Sequence, residues 1–214
     1  MTPTAKVPAT AKGEATRAFL LRTAAQVFAE KGYAAATQNE LIAASGLTKG
    51  AFYFYFASKA DLALAVLQEQ KHRWLDEVGE QLALEPNPAA ELRQLVPTML
   101  ELLGADPGAG SLTRLSRELA TDPAVAEQVS ATTAEWVAFV ADIVRRGQRD
   151  RTIRSGLDPE SVATVLVGAF DGVKALIDVL APPERAAAEF ADRVQTLLAI
   201  VEAALIPGRR GRGE

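Results

Sequence analysis

The sequence contains no cysteine and a single histidine, His72. Without thiols the chain forms no disulfide and offers no thiolate to a metal, a composition that fits a reducing compartment. One imidazole is too few for a histidine-rich metal site and leaves a Ser-His-Asp triad with a single candidate base. We therefore expect no cofactor, no metal and no catalytic residue.

Long apolar runs are also missing, since no stretch reaches the roughly 18 residues that a membrane-spanning helix requires. Residues 1–13 lack the apolar segment of a secretory signal, and we expect a disordered N-terminal arm there. These features predict a cytoplasmic protein without a membrane partner. The hydrophobic fraction of 49% and the charged fraction of 23% still allow a packed, soluble protein of one large or two small domains.

Strand signals are missing as well, whereas helical periodicity recurs throughout, which predicts an all-α fold of about nine helices. In the first helix, apolar residues follow Leu20 at helical spacing, and Gly32 comes next as the terminating residue. Thr37 and Glu40 have the spacing of a capping box that opens a second helix. A tight turn at residues 43–47 then leads to a third helix, capped by Thr48.

Caps and prolines mark the remaining helices. Ser58 caps a fourth helix, and Pro97 is predicted to kink or break the one after it. The Asp-Pro pairs at residues 122–123 and 158–159 each start a long helix. A final helix ends near Leu205.

The net charge of −4 is unevenly distributed. Residues 1–60 carry a net charge of +4, residues 61–206 carry −10, and the tail from residue 207 carries +2. A basic head on an acidic body directs one end of the molecule toward a polyanion, although a difference of this size could also arise by chance.

Helices two and three, joined by a turn of about three residues, have the spacing of a helix-turn-helix. The third helix begins with residues suited to a phosphate backbone and to base edges: Thr48, Lys49 and Gly50. Tyr53 and Tyr55 are expected on its outer arc. Phe52 and Phe56 lie four residues apart and are expected to face the core.

Further residues complete a recognisable pattern: Arg17, Leu20-Leu21, Ala24-Ala25, Val27-Phe28, Gly32-Tyr33, Ala36-Thr37, Gly46-Leu47 and Ser58-Lys59. On these residues the segment from Thr16 to Leu67 closely resembles the DNA-binding domain of TetR-family transcriptional regulators. One position departs from the family, because Tyr55 stands where histidine is very common. Base preference could differ there.

The resemblance implies a homodimer that binds a near-palindromic double-stranded DNA operator and a small-molecule effector. The residues implied to contact phosphate are Thr37, Lys49, Tyr53, Tyr55 and Lys59. Those implied to lie closest to base edges are Gln38, Thr48, Lys49 and Gly50. We expect a helix-turn-helix domain at residues 14–57, a helical ligand-binding and dimerisation domain at residues 58–206, and a flexible basic tail at residues 207–214.

The helical body carries more apolar residues than closure of a bundle requires. Pro97 and a loop at residues 104–110 are expected to leave a cavity, with a filled core as the alternative. The candidate ligand-binding residues are Trp74, Leu95, Met99, Leu103, Leu119, Trp136, Phe139, Val140 and Phe170. Trp136 is the sharpest candidate, because a buried indole N–H needs an acceptor that a ligand could supply. The run from Thr48 to Phe56 and the placement of Trp136 are similar to those in the γ-butyrolactone-receptor subgroup, which suggests a small, largely apolar ligand with one polar head.

The last two helices are expected to pair with their mates in a four-helix dimer interface, as in the family; internal packing is the alternative. The candidate interface residues are Val165, Gly168, Ala169, Gly172, Val173, Leu176, Val194, Leu198 and Val201.

These features favour a repressor that its ligand releases from the operator by moving the fourth helix. One alternative is a DNA-binding regulator or activator without a ligand. Another is an enzyme that uses the helical body as its active site, with carboxylates such as Glu118 and Asp142. The missing cysteine and the missing metal-ligand spacing disfavour the enzyme.

Overall fold

Helices make up the regular structure of the computed structural model, which describes residues 10–105 and 111–207. Within those ranges there are nine helices and no strand, as predicted. They are α1 (Ala11–Lys31), α2 (Gln38–Ser45), α3 (Lys49–Tyr55), α4 (Lys59–Leu82), α5 (Pro88–Ala105), α6 (Leu112–Ala120), α7 (Ala126–Arg149), α8 (Pro159–Leu180) and α9 (Pro183–Leu205). None of these helices alone is long and apolar enough to cross a membrane; the bent pair α3 and α4, with 55° between its members, meets that test by length and composition only.

The described residues pack into two compact units. Unit 1 comprises residues 10–73 and 111–132, and unit 2 comprises residues 74–105 and 133–207. The predicted boundary at residues 57–58 is therefore not the boundary between compact units. The first part of α4 and all of α6 pack with the helix-turn-helix, because their apolar side chains complete its core.

In unit 1, α1 begins earlier than expected. Thr10 caps the helix by accepting a hydrogen bond from the Gly13 N–H at 3.2 Å. Residues 10–13 are thus a capped helix start, which corrects the disordered arm predicted for residues 1–13; residues 1–9 lie outside the described part. Gly32 ends the helix as predicted, at φ +80°, with its N–H donating to the Phe28 carbonyl at 2.8 Å.

Large apolar side chains from α1 to α4 and from α6 form the core of unit 1. The fully buried members are Leu20, Leu41, Phe52, Phe56, Leu62, Val66, Leu67 and Leu119. The inward orientation predicted for Phe52 and Phe56 is confirmed. The Arg17 guanidinium lies 5.6 Å from the Phe56 ring centroid, a cation–π contact at the edge of this core.

In unit 2, α5 is continuous from Pro88 to Ala105, so Pro97 does not break it. Pro97 lies on an exposed face of α5. Water can therefore bond the backbone carbonyl that loses its helical partner there. The predicted loop at residues 104–110 starts later than expected, because α5 includes residues 104 and 105; the rest of that loop lies outside the described residues.

An ion pair joins α5 to α7 in unit 2. The two terminal nitrogens of Arg146 donate to the two carboxylate oxygens of Glu91, each at 2.6 Å, and its Nε donates to Asp142 at 2.7 Å. Glu91 is only 8% exposed, so the bidentate geometry offsets part of the cost of burying its charge. The hydrogen bonds that Arg146 donates to Glu91, followed by the one it donates to Asp142, raise the pKa of Arg146.

The two Asp-Pro pairs behave differently. α7 starts at Ala126 rather than at Asp122-Pro123, because the Asp122 carboxylate accepts from the Ala124 N–H at 3.0 Å and holds a turn instead. At α8, Asp158 caps the helix as predicted, by accepting from the Ser161 N–H at 2.8 Å. That bond and the Ser161 hydroxyl lower the pKa of Asp158.

Candidate functional site

The turn between α2 and α3 is built from local signals. Gly46 follows α2 with φ +63°, a left-handed conformation that glycine adopts without strain. Thr48 then caps α3 by accepting from the Ala51 N–H at 3.2 Å. Three residues separate the two helices, so the structure contains the predicted helix-turn-helix spacing with a shorter turn than residues 43–47.

α3 has one face in the core and one face open. Phe52 and Phe56 are buried with ring centroids 6.5 Å apart. Lys49 and Gly50 are exposed, and Tyr53 is 46% exposed. A Cβ atom at Gly50 would meet no other atom within 4 Å, so the described fold does not itself require glycine there.

The two remaining aromatics of α3 differ in burial. Tyr55 is half-buried and packs against the core of unit 1. Phe54, for which the sequence pattern predicted no role, is 53% exposed. Their rings meet edge to face, with centroids 5.1 Å apart and an interplanar angle of 87°.

At the start of α2, Thr37 and Glu40 form the predicted capping box. Thr37 Oγ1 accepts from the Glu40 N–H at 3.3 Å, and Glu40 Oε2 accepts from the Thr37 N–H at 2.8 Å. Hydrogen bonds from Lys31 and then from Thr37 lower the pKa of Glu40 to about 2. Gln38 Nε2 is shielded from solvent without a hydrogen-bond partner among the described residues. Donation from Gln38 Nε2 to a base edge would therefore require its side chain to rotate.

Lys59, predicted to contact phosphate, anchors the α1–α2 loop (residues 32–37). Its ammonium donates to the carbonyls of Tyr33 at 2.8 Å and Ala36 at 2.9 Å, and lies 4.3 Å from the Tyr33 ring centroid. The Tyr33 hydroxyl donates to Asp122 at 2.8 Å. Two of the three Lys59 donors are thus committed to the loop, so its predicted phosphate contact stays a prediction that involves the third donor.

α6 supplies two further contacts to the same loop region. Arg114 Nη2 donates to the carbonyls of Phe28 at 3.0 Å and Ala29 at 2.9 Å, at the C-terminus of α1. Glu118 accepts from the Ala34 N–H at 3.0 Å. A cation is favourable near a helix C-terminus, where it adds a bond to the Phe28 carbonyl, which also accepts from Gly32, and one to the Ala29 carbonyl. The sequence analysis did not predict these contacts, because the partners lie 84 to 86 residues apart and no local pattern links them.

Unit 2 contains an apolar cavity of about 30 Å³. Its lining comes from α5, α7, α8 and α9: Leu92, Leu95, Val96, Met99, Trp136, Val140, Leu166, Val167, Phe170, Leu197, Leu198 and Val201. Five of the predicted ligand-binding residues are therefore in the lining: Leu95, Met99, Trp136, Val140 and Phe170. Since typical ligand pockets measure about 300–1,000 Å³, the cavity is small in this structure.

The other predicted ligand-binding residues do not line the cavity. Trp74 and Phe139 pack on Trp136, with ring centroids 5.5 Å away in each case. Leu103 is half-buried at the edge of the same apolar cluster. Leu119 is wrongly assigned, because it lies on α6 in the core of unit 1. Trp74 Nε1 is buried without a hydrogen-bond partner in the described part of the chain.

The predicted dimer interface divides into exposed and buried residues. Four of the α8 residues are exposed: Val165 (68%), Leu176 (61%), Gly168 and Gly172. The other two, Ala169 and Val173, are half-buried. On α9, Val194 is fully buried and Val201 is buried, because this face of α9 packs into the core of unit 2; Leu198 is half-buried and lines the cavity. The interface role predicted for Val194 and Val201 is therefore corrected, and the exposed large apolar residue of α9 is Ile200.

The carboxylates considered for an enzyme are both engaged. Glu118 accepts from the Ala34 N–H, and Asp142 pairs with Arg146 at 2.7 Å and with Arg145 at 3.9 Å. Across residues 10–105 and 111–207, no three His, Cys, Asp or Glu side chains are grouped so that they could hold a metal ion.

Two segments of the chain match family descriptions. Residues 20–66 match "Bacterial regulatory proteins, tetR family", and residues 112–192 match "Tetracyclin repressor-like, C-terminal domain". The first covers the helix-turn-helix, and the second includes α6, α7, α8 and the first part of α9.

Individual proteins agree with these matches. The transcriptional activator FasR of Mycolicibacterium smegmatis is 30% identical over 152 residues, which are 71% of this chain and 66% of FasR, slightly less than two thirds of its length. The probable acrEF/envCD operon repressor of Escherichia coli is 27% identical over 165 residues, 74% of each chain. A crystal structure of a γ-butyrolactone receptor, described as an ArpA-like protein, superposes with a TM-score of 0.66 at 26% identity and covers 94% of both chains. The helix-turn-helix and the N-terminal and C-terminal family matches together show that this protein belongs to the TetR family.

Proposed function

We propose that the protein is a DNA-binding transcriptional regulator that binds a near-palindromic operator as a homodimer. The solvent-exposed face of α3 is the main observation that supports this proposal. Lys49, Gly50 and Tyr53 are exposed there, while Phe52 and Phe56 fix the helix to the core from the opposite side. Lysine and tyrosine are residues that hydrogen-bond to phosphate, and lysine also donates to guanine edges.

The charge distribution supports the same partner. The net charge of +4 in residues 1–60 stands against −10 in residues 61–206, so the segment with the helix-turn-helix is the one attracted to a polyanion. The relatives FasR and the acrEF/envCD repressor are named as an activator and a repressor, respectively. Both names describe regulators of transcription, which disfavours an enzyme.

Selection from random duplex DNA tests the proposal. The full-length protein should enrich a near-palindromic sequence, and Lys49→Ala should bind that duplex about tenfold more weakly at fixed salt, since one good base contact contributes about 1–3 kcal/mol. Arg149→Ala, which removes an exposed cation of unit 2, serves as the matched control and should bind like the wild type. Failure to enrich any sequence, or equal affinities for Lys49→Ala and wild type, would contradict the proposal.

We further propose that a small, largely apolar ligand enters unit 2 and releases the operator, as a repressor would require. The cavity supports this role, because apolar residues of four helices converge on it and Met99 can repack around a guest. The unpartnered Trp74 indole N–H lies beside Trp136, so an acceptor on the ligand could satisfy it after rearrangement. The similarity to a γ-butyrolactone receptor makes lactones with an alkyl chain the first compounds to try.

Gel-shift titration with a series of alkyl γ-butyrolactones of increasing chain length tests the proposal that a ligand releases the operator. An active lactone should lower operator affinity, and Val201→Phe, which adds volume to the cavity lining, should reduce that response while the DNA affinity without lactone stays unchanged. Operator binding must then weaken lactone binding by the same factor. A protein that binds the operator but responds to no lactone would favour the alternative of a regulator without this ligand class.

A further inference from the structure

The side chain of Phe54 points directly away from the core of unit 1. At 3.6 residues per turn, Phe54 lies about 180° around α3 from the midpoint between Phe52 and Phe56. Those two residues are buried, whereas Phe54 is 53% exposed. Phe54 therefore occupies the centre of the outward face of the helix, and its role cannot be to fill the core.

The surroundings of Phe54 suit the approach of a duplex. Gly50 lies one turn earlier on the same face, and the space where its Cβ would stand is open. Lys49 and Tyr53 lie together on one side of that face, with Lys49 Nζ 6.0 Å from the Tyr53 ring centroid. α3 contains no acidic residue that would repel phosphate. The Phe54–Tyr55 pair is an aromatic contact within α3, and the rest of the Phe54 ring stays exposed to a partner.

The chemistry of the ring restricts what it can recognise. A phenyl group neither donates nor accepts conventional hydrogen bonds, so it gains nothing from phosphate oxygens or from the polar edges of bases. Among the groups that base pairs present in the major groove, the C5-methyl of thymine is the apolar one. Contact between the ring and that methyl removes apolar surface of both partners from water.

We propose that Phe54 is a specificity-determining residue that recognises the C5-methyl group of a thymine in each half of the operator. The inference rests on the proposed DNA-binding function and adds the base type that one side chain reads. It also assigns a role to a position that the lysine and tyrosine contacts leave unexplained.

Replacement of thymine by deoxyuridine tests the assignment, because it removes the methyl and leaves every hydrogen-bonding group in place. The probe is the duplex that the wild-type protein enriches from random DNA, resynthesised with deoxyuridine at one thymine position at a time. At one position per half-site the wild type should lose affinity about three- to fivefold, the effect expected for one buried methyl-sized group. Phe54→Ala should bind thymine and deoxyuridine duplexes equally, and Phe54→Leu should retain part of the difference.

The control variant is Leu84→Ala, which removes an exposed apolar side chain of unit 2 and should keep the full wild-type penalty. Thermal unfolding of the Phe54 variants should match the wild type, because the exposed ring contributes little to the core. The assignment is overturned if deoxyuridine has no effect at any position, or if the penalty persists unchanged in Phe54→Ala. Failure of the wild type to enrich any duplex would instead reject the DNA-binding proposal itself, so the two failures are distinguishable.

Discussion

Gly147 of α7 allows the following segment to fold back onto the helix. A Cβ atom at Gly147 would lie 2.5 Å from Cδ1 and 3.0 Å from Cβ of Ile153, which is almost completely buried. The Ile153 N–H also donates to the Gly147 carbonyl at 2.9 Å, which fixes the same approach through the backbone. The missing side chain thus lets Ile153 pack directly on the helix backbone.

We expect Gly147→Ala to destabilise the protein by about 1–3 kcal/mol, because overpacking outweighs the helix propensity that alanine adds. The control is Gly79→Ala on α4, where the new Cβ would meet Phe139 at an ordinary 3.6 Å and helix propensity should make the change neutral or stabilising. Urea unfolding of both variants measures the difference. Equal stability of Gly147→Ala and wild type would show that Ile153 moves aside without cost.

Interactions between residues close in the sequence explain which structural features could be predicted from it. Thr37 with Glu40, Gly46, Thr48 and Asp158 act on backbone groups within four residues, and each is where its pattern predicts. Lys59 shows the limit of that reasoning. Its ammonium binds two carbonyls that lie 23 and 26 residues earlier, a contact that no local pattern reveals.

At the level of elements, the α1–α2 loop is held from two sides. Lys59 at the start of α4 bonds the loop carbonyls, and Asp122, in the turn before α7, accepts from the Tyr33 hydroxyl. The pKa of Asp122 is lowered, first by the Ala124 N–H and then by the Tyr33 hydroxyl. Burial is the main cause of the raised pKa of Tyr33, with Asp122 second.

These pKa changes make the stability that the Asp122–Tyr33 contact gives to the α1–α2 loop depend on pH. Because the pKa of Asp122 is lower in the folded state, its ionised form stabilises the fold above its ordinary pKa of 3.8. That stabilisation is lost as the pH falls through the folded-state value. We therefore expect Asp122→Asn to cost about 1 kcal/mol at pH 7 and progressively less as the pH falls below 3.8.

Chemical denaturation at a series of pH values, with Asp76→Asn on an exposed face of α4 as the control, measures this difference. Tyr33→Phe should reproduce part of the loss at pH 7, because it removes the hydroxyl donor to Asp122. A stability difference between wild type and Asp122→Asn that does not change with pH would contradict the expected role of the charge.

The helices themselves were largely predictable, and the faces they bury were less so. α8 and α9 carry apolar residues on more than one side, so periodicity alone could not tell which side packs internally. Val194 and Val201 were expected outside and lie inside, whereas Val165 and Leu176 remain exposed as an interface requires. Long-range packing decides between such faces, and a single sequence does not encode it in any short pattern.

At the scale of the whole molecule, the exposed stripe on α8 predicts self-association. Val165, Leu176 and Val179 are large apolar residues that stay exposed along one helix, and such a patch commonly marks a protein interface. We expect the wild type to be a dimer at micromolar concentration and Leu176→Glu to be a monomer, because the interface would have to bury an unpaired charge. Sedimentation velocity distinguishes the two states.

Leu84→Glu is the matched control, since Leu84 is an exposed leucine outside α8 and α9 and its substitution should leave the dimer intact. A monomeric wild type would refute the proposed interface. Dissociation of the Leu84 variant would place the contact elsewhere on the chain.

The discontinuity of unit 1 has a consequence for biosynthesis. Residues 111–132 complete its core and supply Arg114, Glu118 and Asp122, but they are synthesised after residues 74–105 of unit 2. At roughly 5–20 residues per second, the ribosome needs several seconds to pass from residue 73 to residue 132. During that interval the nascent helix-turn-helix has neither its α6 contacts nor part of its core. A DNA-binding fragment that ends at residue 73 would lack these contacts permanently. Expression of unit 1 by itself should therefore require residues 111–132, joined by a linker or by circular permutation.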